Sequence, residues 1–364
     1  MIIGFPTNLL TSRPQNATVP SLGFWGARGH NLCDTKGVFP ARNPLLSNTR
    51  GSWRRADVRS LWLICLLSMP FLGLLGCEDN PSTSNNAIKT APRTGLLTDK
   101  DMSALSEKTL FRAAAEGDLA AVQKHIRAGS DVMQINEQTR LMPLHYAAFG
   151  GHTEVARELL AAGSVVDAHN GSAVTPLHVA ASRGQAEMAE FLLSRKADIN
   201  ARTTLGLSPL HVAAAAGHVG MVEMLTARGA NPNVKNKGGD TALHICAARN
   251  LDQVADMLIT RGADVNARND IGDTPLHVAC DAGNRRTLEL LVDRGAQVDV
   301  KNTADWTPLL LAVILGHQDI AQYLVLRGAD VNIRTNRSTT PLMWARAKGR
   351  DAIAQMLLEN GAME

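Results

Sequence analysis

Five cysteines in 364 residues give no disulfide framework. Nor does the chain contain a His-Glu-x-x-His helix, a phosphate-binding glycine loop or a nucleophile elbow, which removes the motif-defined metalloproteases, nucleotide hydrolases and serine hydrolases. Its clearest apolar run, Ser60 to Gly76, is broken by two serines and falls short of the ~20 residues that cross a hydrocarbon core.

What the chain does have is a period. Met142, Thr175, Ser208, Thr241, Thr274, Thr307 and Thr340 follow one another every 33 residues and open seven copies of one pattern. A period of this length marks stacked supersecondary units, none able to bury its apolar face alone. The expected fold class is an all-α repeat solenoid, with an extended surface suited to binding.

Two positions after each opening residue stands Leu144, Leu177, Leu210, Leu243, Leu276, Leu309 or Leu342; later in each copy comes Leu159, Leu192, Leu225, Leu258, Leu291, Leu324 or Leu357. These fourteen leucines are the predicted core. Small residues at Ala147, Ala180, Ala213, Cys246, Ala279, Ala312 and Ala345 mark where neighbouring first helices approach closely. Within one copy, Thr274 can cap the first helix, Pro275 fits its first position and Gly283 ends it after about two turns. A second helix is predicted from about Arg286 to Asp293, stopping at Gly295, with an extended hairpin to follow.

Thr-Pro-Leu-His at 175–178 and 274–277, Ser-Pro-Leu-His at 208–211, and the endings Gly262-Ala263-Asp264-Val265-Asn266 and Gly328-Ala329-Asp330-Val331-Asn332 resemble the ankyrin repeat. The resemblance covers residues 108 to 364. An eighth, atypical copy stands upstream at Lys108-Thr109-Leu110-Phe111, with His125 in a core-leucine slot. Together with Arg346, in a slot otherwise filled by small or apolar residues, it implies an array of about eight repeats with atypical capping ends. A short helix at Asp99 to Ser106 is expected as part of the N-terminal cap.

Upstream, Arg54, Arg55 and Arg59 precede the apolar run, the pattern of a secretion signal. Leu74-Leu75-Gly76-Cys77 resembles the lipobox of bacterial lipoproteins, which implies cleavage before Cys77 and acylation of its thiol. Each acyl methylene then adds roughly 0.8 kcal/mol of membrane affinity. Glu78 after the cysteine implies the outer rather than the inner membrane. The expected domains are a mis-assigned extension over 1–57, disordered if made, with translation starting at Val58; a signal peptide over 58–76; the lipidated Cys77 with a flexible polar tether over 77–98; and the repeat domain over 99–364.

Residues 1–76 hold eight Lys and Arg against two Asp and Glu, so the net charge of +3 for the whole chain becomes −3 without them. That removes the basic face a nucleic-acid partner would need. Cys246 and Cys280 are expected as buried free thiols on adjacent first helices. His145, His178, His211, His244 and His277 are the fourth residue of the signature, where the resemblance implies a structural hydrogen bond near the hairpin. Neither catalytic residues, metal nor cofactor is therefore expected.

The resemblance places binding at hairpin tips and the exposed side of first helices. Candidate partner-binding residues are Leu141, Val174, Leu207, Asp240, Asp273 and Trp306 just before the signatures, with Leu205 and Phe149 beside them. The same side chains could instead protect neighbouring hairpins, and both readings stay open. The chain as a whole reads as a monomeric, non-catalytic protein-binding scaffold, lipid-anchored in a bacterial envelope with its repeats facing the periplasm or the exterior. A soluble cytosolic regulator and, more remotely, an envelope enzyme with a site built across repeats are the alternatives.

Overall fold

The computed structural model describes residues 96–106 and 109–363, all belonging to one unit of the chain. The expectations for residues 1–76 and for Cys77 lie outside them. Seventeen α-helices and no strands occur among the described residues. A short α1 (Asp99–Ser103) comes first. Helices then alternate between a first type of seven or eight residues and a second type of nine. The first type comprises α2 (Leu110–Glu116), α4 (Pro143–Gly150), α6 (Pro176–Arg183), α8 (Pro209–Ala215), α10 (Ala242–Arg249), α12 (Pro275–Ala282), α14 (Pro308–Leu315) and α16 (Pro341–Ala347). The second comprises α3 (Leu119–Arg127), α5 (Thr153–Ala161), α7 (Ala186–Ser194), α9 (Val219–Ala227), α11 (Asp252–Thr260), α13 (Arg285–Asp293), α15 (Gln318–Leu326) and α17 (Asp351–Glu359).

Each helix is delimited by local chemistry. Thr274 takes extended backbone angles ahead of α12, and Pro275 opens the helix without wasting an amide. Gly283 ends it in the left-handed region, at φ +70°, where only a residue without Cβ is free of strain. Space adds to the demand: a Cβ at the equivalent Gly184 would come within 2.9 Å of the His218 ring. Asn250, an amide residue tolerant of this region, takes the same role after α10.

All fourteen periodic leucines are 2 % exposed or less, and all seven small residues of the first helices are fully buried. Each first helix packs on its own second helix and on the next first helix, so one core runs continuously from Leu97 to Ala362. Cys246 and Cys280 lie inside it as free thiols, and burial raises the pKa of both.

The connections differ from the expected extended hairpins. They are turns whose amides are taken up by side chains: Asn236 Oδ1 accepts from Gly238 and Asp240, and Asn269 and Asn302 repeat the arrangement one and two periods on. With these donors occupied, neighbouring tips share one backbone bond per junction, Thr204 to Ser172, Lys237 to Leu205, Asp270 to Gly238 and Thr303 to Ile271, at 2.9–3.2 Å. One bond per junction makes no ladder, and no strand forms.

The residues before the repeats also differ from expectation. Leu96, Leu97 and Thr98, placed in the tether, are packed: Leu97 is 5 % exposed and joins the main core. Thr98 caps α1 through a reciprocal pair with Asp101, which receives the Thr98 backbone amide.

Close packing in the small-residue slots sets a stability test. Ala213→Leu should cost about 1–3 kcal/mol by overpacking, and Leu225→Ala about 2–5 kcal/mol through the cavity it leaves. Urea denaturation followed by circular dichroism measures both; unchanged midpoints would contradict the packing.

Candidate interaction surface

The signature histidines are spoken for. In His145, His178, His211, His244 and His277, Nδ1 accepts the backbone amide of the residue opening the copy at 3.2–3.3 Å. Nε2 meets the carbonyl of Val174, Leu207, Asp240, Asp273 and Trp306 in turn, 29 residues on, at 3.0–3.2 Å. An Nδ1 that accepts leaves the proton on Nε2, so each ring is a neutral tautomer bridging two copies. Burial lowers four of them from 6.5 to about 4, and lowers His244 as well. No group of three or more His, Cys, Asp or Glu positioned to hold a metal occurs among the described residues.

Several expected partner-binding residues turn out to be internal. Leu141, Val174, Leu207 and Phe149 are 0, 1, 6 and 7 % exposed, because each tip folds down against the first helix it precedes. Leu141, Val174 and Phe149 belong to the main core and Leu207 to a second buried cluster, so none stands in an open apolar stripe. Asp240, 3 % exposed, has its carboxylate hydrogen-bonded by the Asn236 and Asn269 amides. Asp273 is half-buried and receives Asn302 Nδ2 at 2.7 Å. Both aspartates brace adjacent tips, which corrects their reading as partners for an external basic patch. Trp306 and Leu205 retain partial exposure, Trp306 while packed against the main core.

A face survives beyond these residues. Val212 and Ala215 of α8, Ile245 of α10 and Leu207 form a second buried cluster that includes no second-helix residue, so it lies on the side of the first helices turned away from their partners. Leu205 and Leu96 complete it. Leu96 is more than 100 residues away in sequence, and the segment it begins follows the same side: Asp99 pairs with Arg183 of α6 at 3.3 Å, and the Met102 carbonyl accepts from Arg112 of α2. The Arg183 guanidinium stands 4.4 Å from the Phe149 ring centroid. Tyr146 of α4 lies beneath, its hydroxyl 2.7 Å from Thr139 Oγ; burial, with the Asp101 charge adding to it, pushes its pKa up to about 12.

The tips carry one feature the sequence reading missed. Arg202, Lys235, Arg268, Lys301 and Arg334 recur every 33 residues, four of them exposed. Arg202 and Arg268 donate to the carbonyls of Lys235 and Lys301, and Lys301 Nζ to that of Arg334 at 2.7 Å. Reading the period at every position, rather than at the signature, would have found this row.

With this geometry in place, comparison with family models identifies the class. The model for ankyrin repeats matches in three stretches, residues 110–203, 201–269 and 276–363, and the chain belongs to the ankyrin-repeat family. Ankyrin repeats generally mediate protein–protein interaction. Comparison with curated proteins gives no match.

The buried imidazoles fix a pH response. An unfolded chain takes up these protons near 6.5 and the folded chain only near 4, so each costs the fold about 1.4 kcal/mol per pH unit as pH falls through that window. Asp273 and Asp281, raised by burial to about 6 and about 7, act in the opposite sense, since the folded chain protonates them first. Five histidines outweigh two aspartates, so the urea midpoint should fall from pH 7 to pH 5, and fall less in His178→Gln. A midpoint independent of pH would refute buried neutral imidazoles.

Proposed function

We propose that this ankyrin-repeat protein is a monomeric, non-catalytic binding scaffold held by lipid at a bacterial membrane, the outer one where there are two. Its array consists of about eight repeats, with the helix pairs α2–α3 and α16–α17 as the ends. Three features agree with an array of this extent. Helix pairs run from Leu110 to Glu359, His125 in the first pair stays half-exposed where later pairs bury a leucine, and Arg346 of α16 is exposed.

The observation that carries the binding reading is the apolar cluster of Leu207, Val212, Ala215 and Ile245 on the free side of the first helices. The main core already holds the helix pairs together, so this second cluster, covered by Leu96 and Leu205, reads as an apolar seat for polypeptide. The cationic row at the tips and, farther along the array, the partly exposed Trp306 add charge and an aromatic anchor. None of the described helices is long and apolar enough to cross a membrane. Attachment therefore rests on the lipobox-like Leu74-Leu75-Gly76-Cys77 and the arginine-flanked run before it.

Intact mass spectrometry of the protein extracted from membranes tests the location. A species beginning at acylated Cys77 is expected, and Cys77→Ala should move the chain out of the membrane fraction. An unlipidated chain retaining residues 1–76 would instead make it a cytosolic regulator.

A further inference from the structure

The segment from Leu96 to Ser103 runs against the order of the repeats. Its first residue packs against the cluster of Leu207, Val212, Ala215 and Ile245 and also against the main core; Asp99 then meets Arg183 of α6, and Met102 meets Arg112 of α2. Seven residues thus pass from the cluster between α8 and α10 back to α2 along the free side of the first helices. A cap would cover the open end at α2 alone. This path is that of a bound peptide.

The segment's hold on that face is divided by kind. Two leucines provide the apolar contact, Leu96 against both clusters and Leu97 within the main core. The ion pair is solvent-exposed, 79 % at Asp99 and 38 % at Arg183, so it adds orientation more than strength. Between Thr98, Lys100 and Asp101 on one side and Thr139, Asn170 and Ser172 on the other, a cavity of about 280 Å³ remains. The seat is occupied without being filled.

The geometry points to a peptide groove along α2 to α10 whose partner presents two consecutive aliphatic residues followed by an acidic, hydroxyl-capped helical turn, and in which Leu96–Ser103 is the resident, displaceable occupant. The inference rests on the protein-binding reading and deepens it by naming the partner's chemistry. Leucine-like side chains take the places of Leu96 against the second cluster and of Leu97 in the main core, and an acidic residue three positions after the first meets Arg183. Because the resident is covalently attached, it competes at a high effective concentration, and a partner must bind better than it or arrive in excess.

The test uses the full chain in mild detergent and a fluorescent peptide spanning residues 96–106. The Leu96→Asp, Leu97→Asp double variant should vacate the groove and bind this peptide at least tenfold tighter than the unaltered chain, and a peptide carrying the same two changes should not bind. A folded double variant that binds the peptide no better than the unaltered chain overturns the proposal. Hydrogen exchange on the unaltered chain decides independently of folding in the variant. Amides of 99–105 should open while α4 to α10 stay protected; opening only together with those helices would make the segment an integral cap and sink the idea. Peptide titration reports the groove wherever the protein resides, and the mass of the extracted chain reports residence, so either can fail alone.

Discussion

Each signature imidazole performs two tasks in one ring. Its Nδ1 fixes the start of a first helix by taking the amide of the residue that opens the copy; its Nε2 fixes the position of the next tip by donating to a carbonyl 29 residues later. Helix start and inter-copy register are thus a single interaction, repeated from His145 to His277. From His178 to His277 the opening Thr or Ser hydroxyl joins the amide at Nδ1, at 2.8–2.9 Å, and a ring charged by a second proton would lose its acceptor. The series stops where Leu310 and Met343 take the histidine slot. There Thr307 and Thr340 cap their helices alone, and the last tip is held instead by Trp344 Nε1 donating to Thr339 Oγ at 3.1 Å.

With register settled by histidine, spacing by alanine and the core by leucine, the remaining positions are released for individual use. The Asn-Asp chain Asn236–Asp240–Asn269–Asp273–Asn302 shows one such use, bracing three tips in series through buried amide–carboxylate bonds. Burial raises the Asp273 carboxyl and the Asn302 amide offsets part of that rise, while the brace adds to the one backbone bond per junction between the tips from Asn236 to Trp306. Copies with apolar residues before the signature, Leu141, Val174 and Leu207, bury them against their own first helix instead. Ionic bracing and apolar closure are two solutions to the same problem of holding a short turn.

The repeating helix residues were legible in the sequence, because a structural requirement met seven times leaves the same residue at the same offset. The leucines, the small slots and the helix ends around Thr274 and Gly283 are of this kind. Asp240 and Asp273 were misread because charge before the signature suggests solvent; the correcting signal was the asparagine four residues upstream of each, Asn236 and Asn269, able to supply the buried partner. Leu96 and Leu97 left no such trace. They occur once, follow a polar stretch, and acquire meaning only when the chain folds back more than 100 residues to Leu205 and Ile245.

That fold-back joins the two halves of the functional reading. Leu96 stands 19 residues after Cys77, so on the lipid-anchored reading the groove's occupant is also the end of the leash. While the segment is seated, the repeats are held to the lipid through those 19 residues, which end at the apolar cluster between α8 and α10. Displacement by a partner adds the thirteen residues from 96 to 108 and moves the point of attachment to Thr109 at the start of α2. Extended chain spans at most about 3.3–3.6 Å per residue, so the gain in reach is up to roughly 45 Å. Occupancy of the groove and distance from the membrane are then one coordinate, since the same two leucines set both.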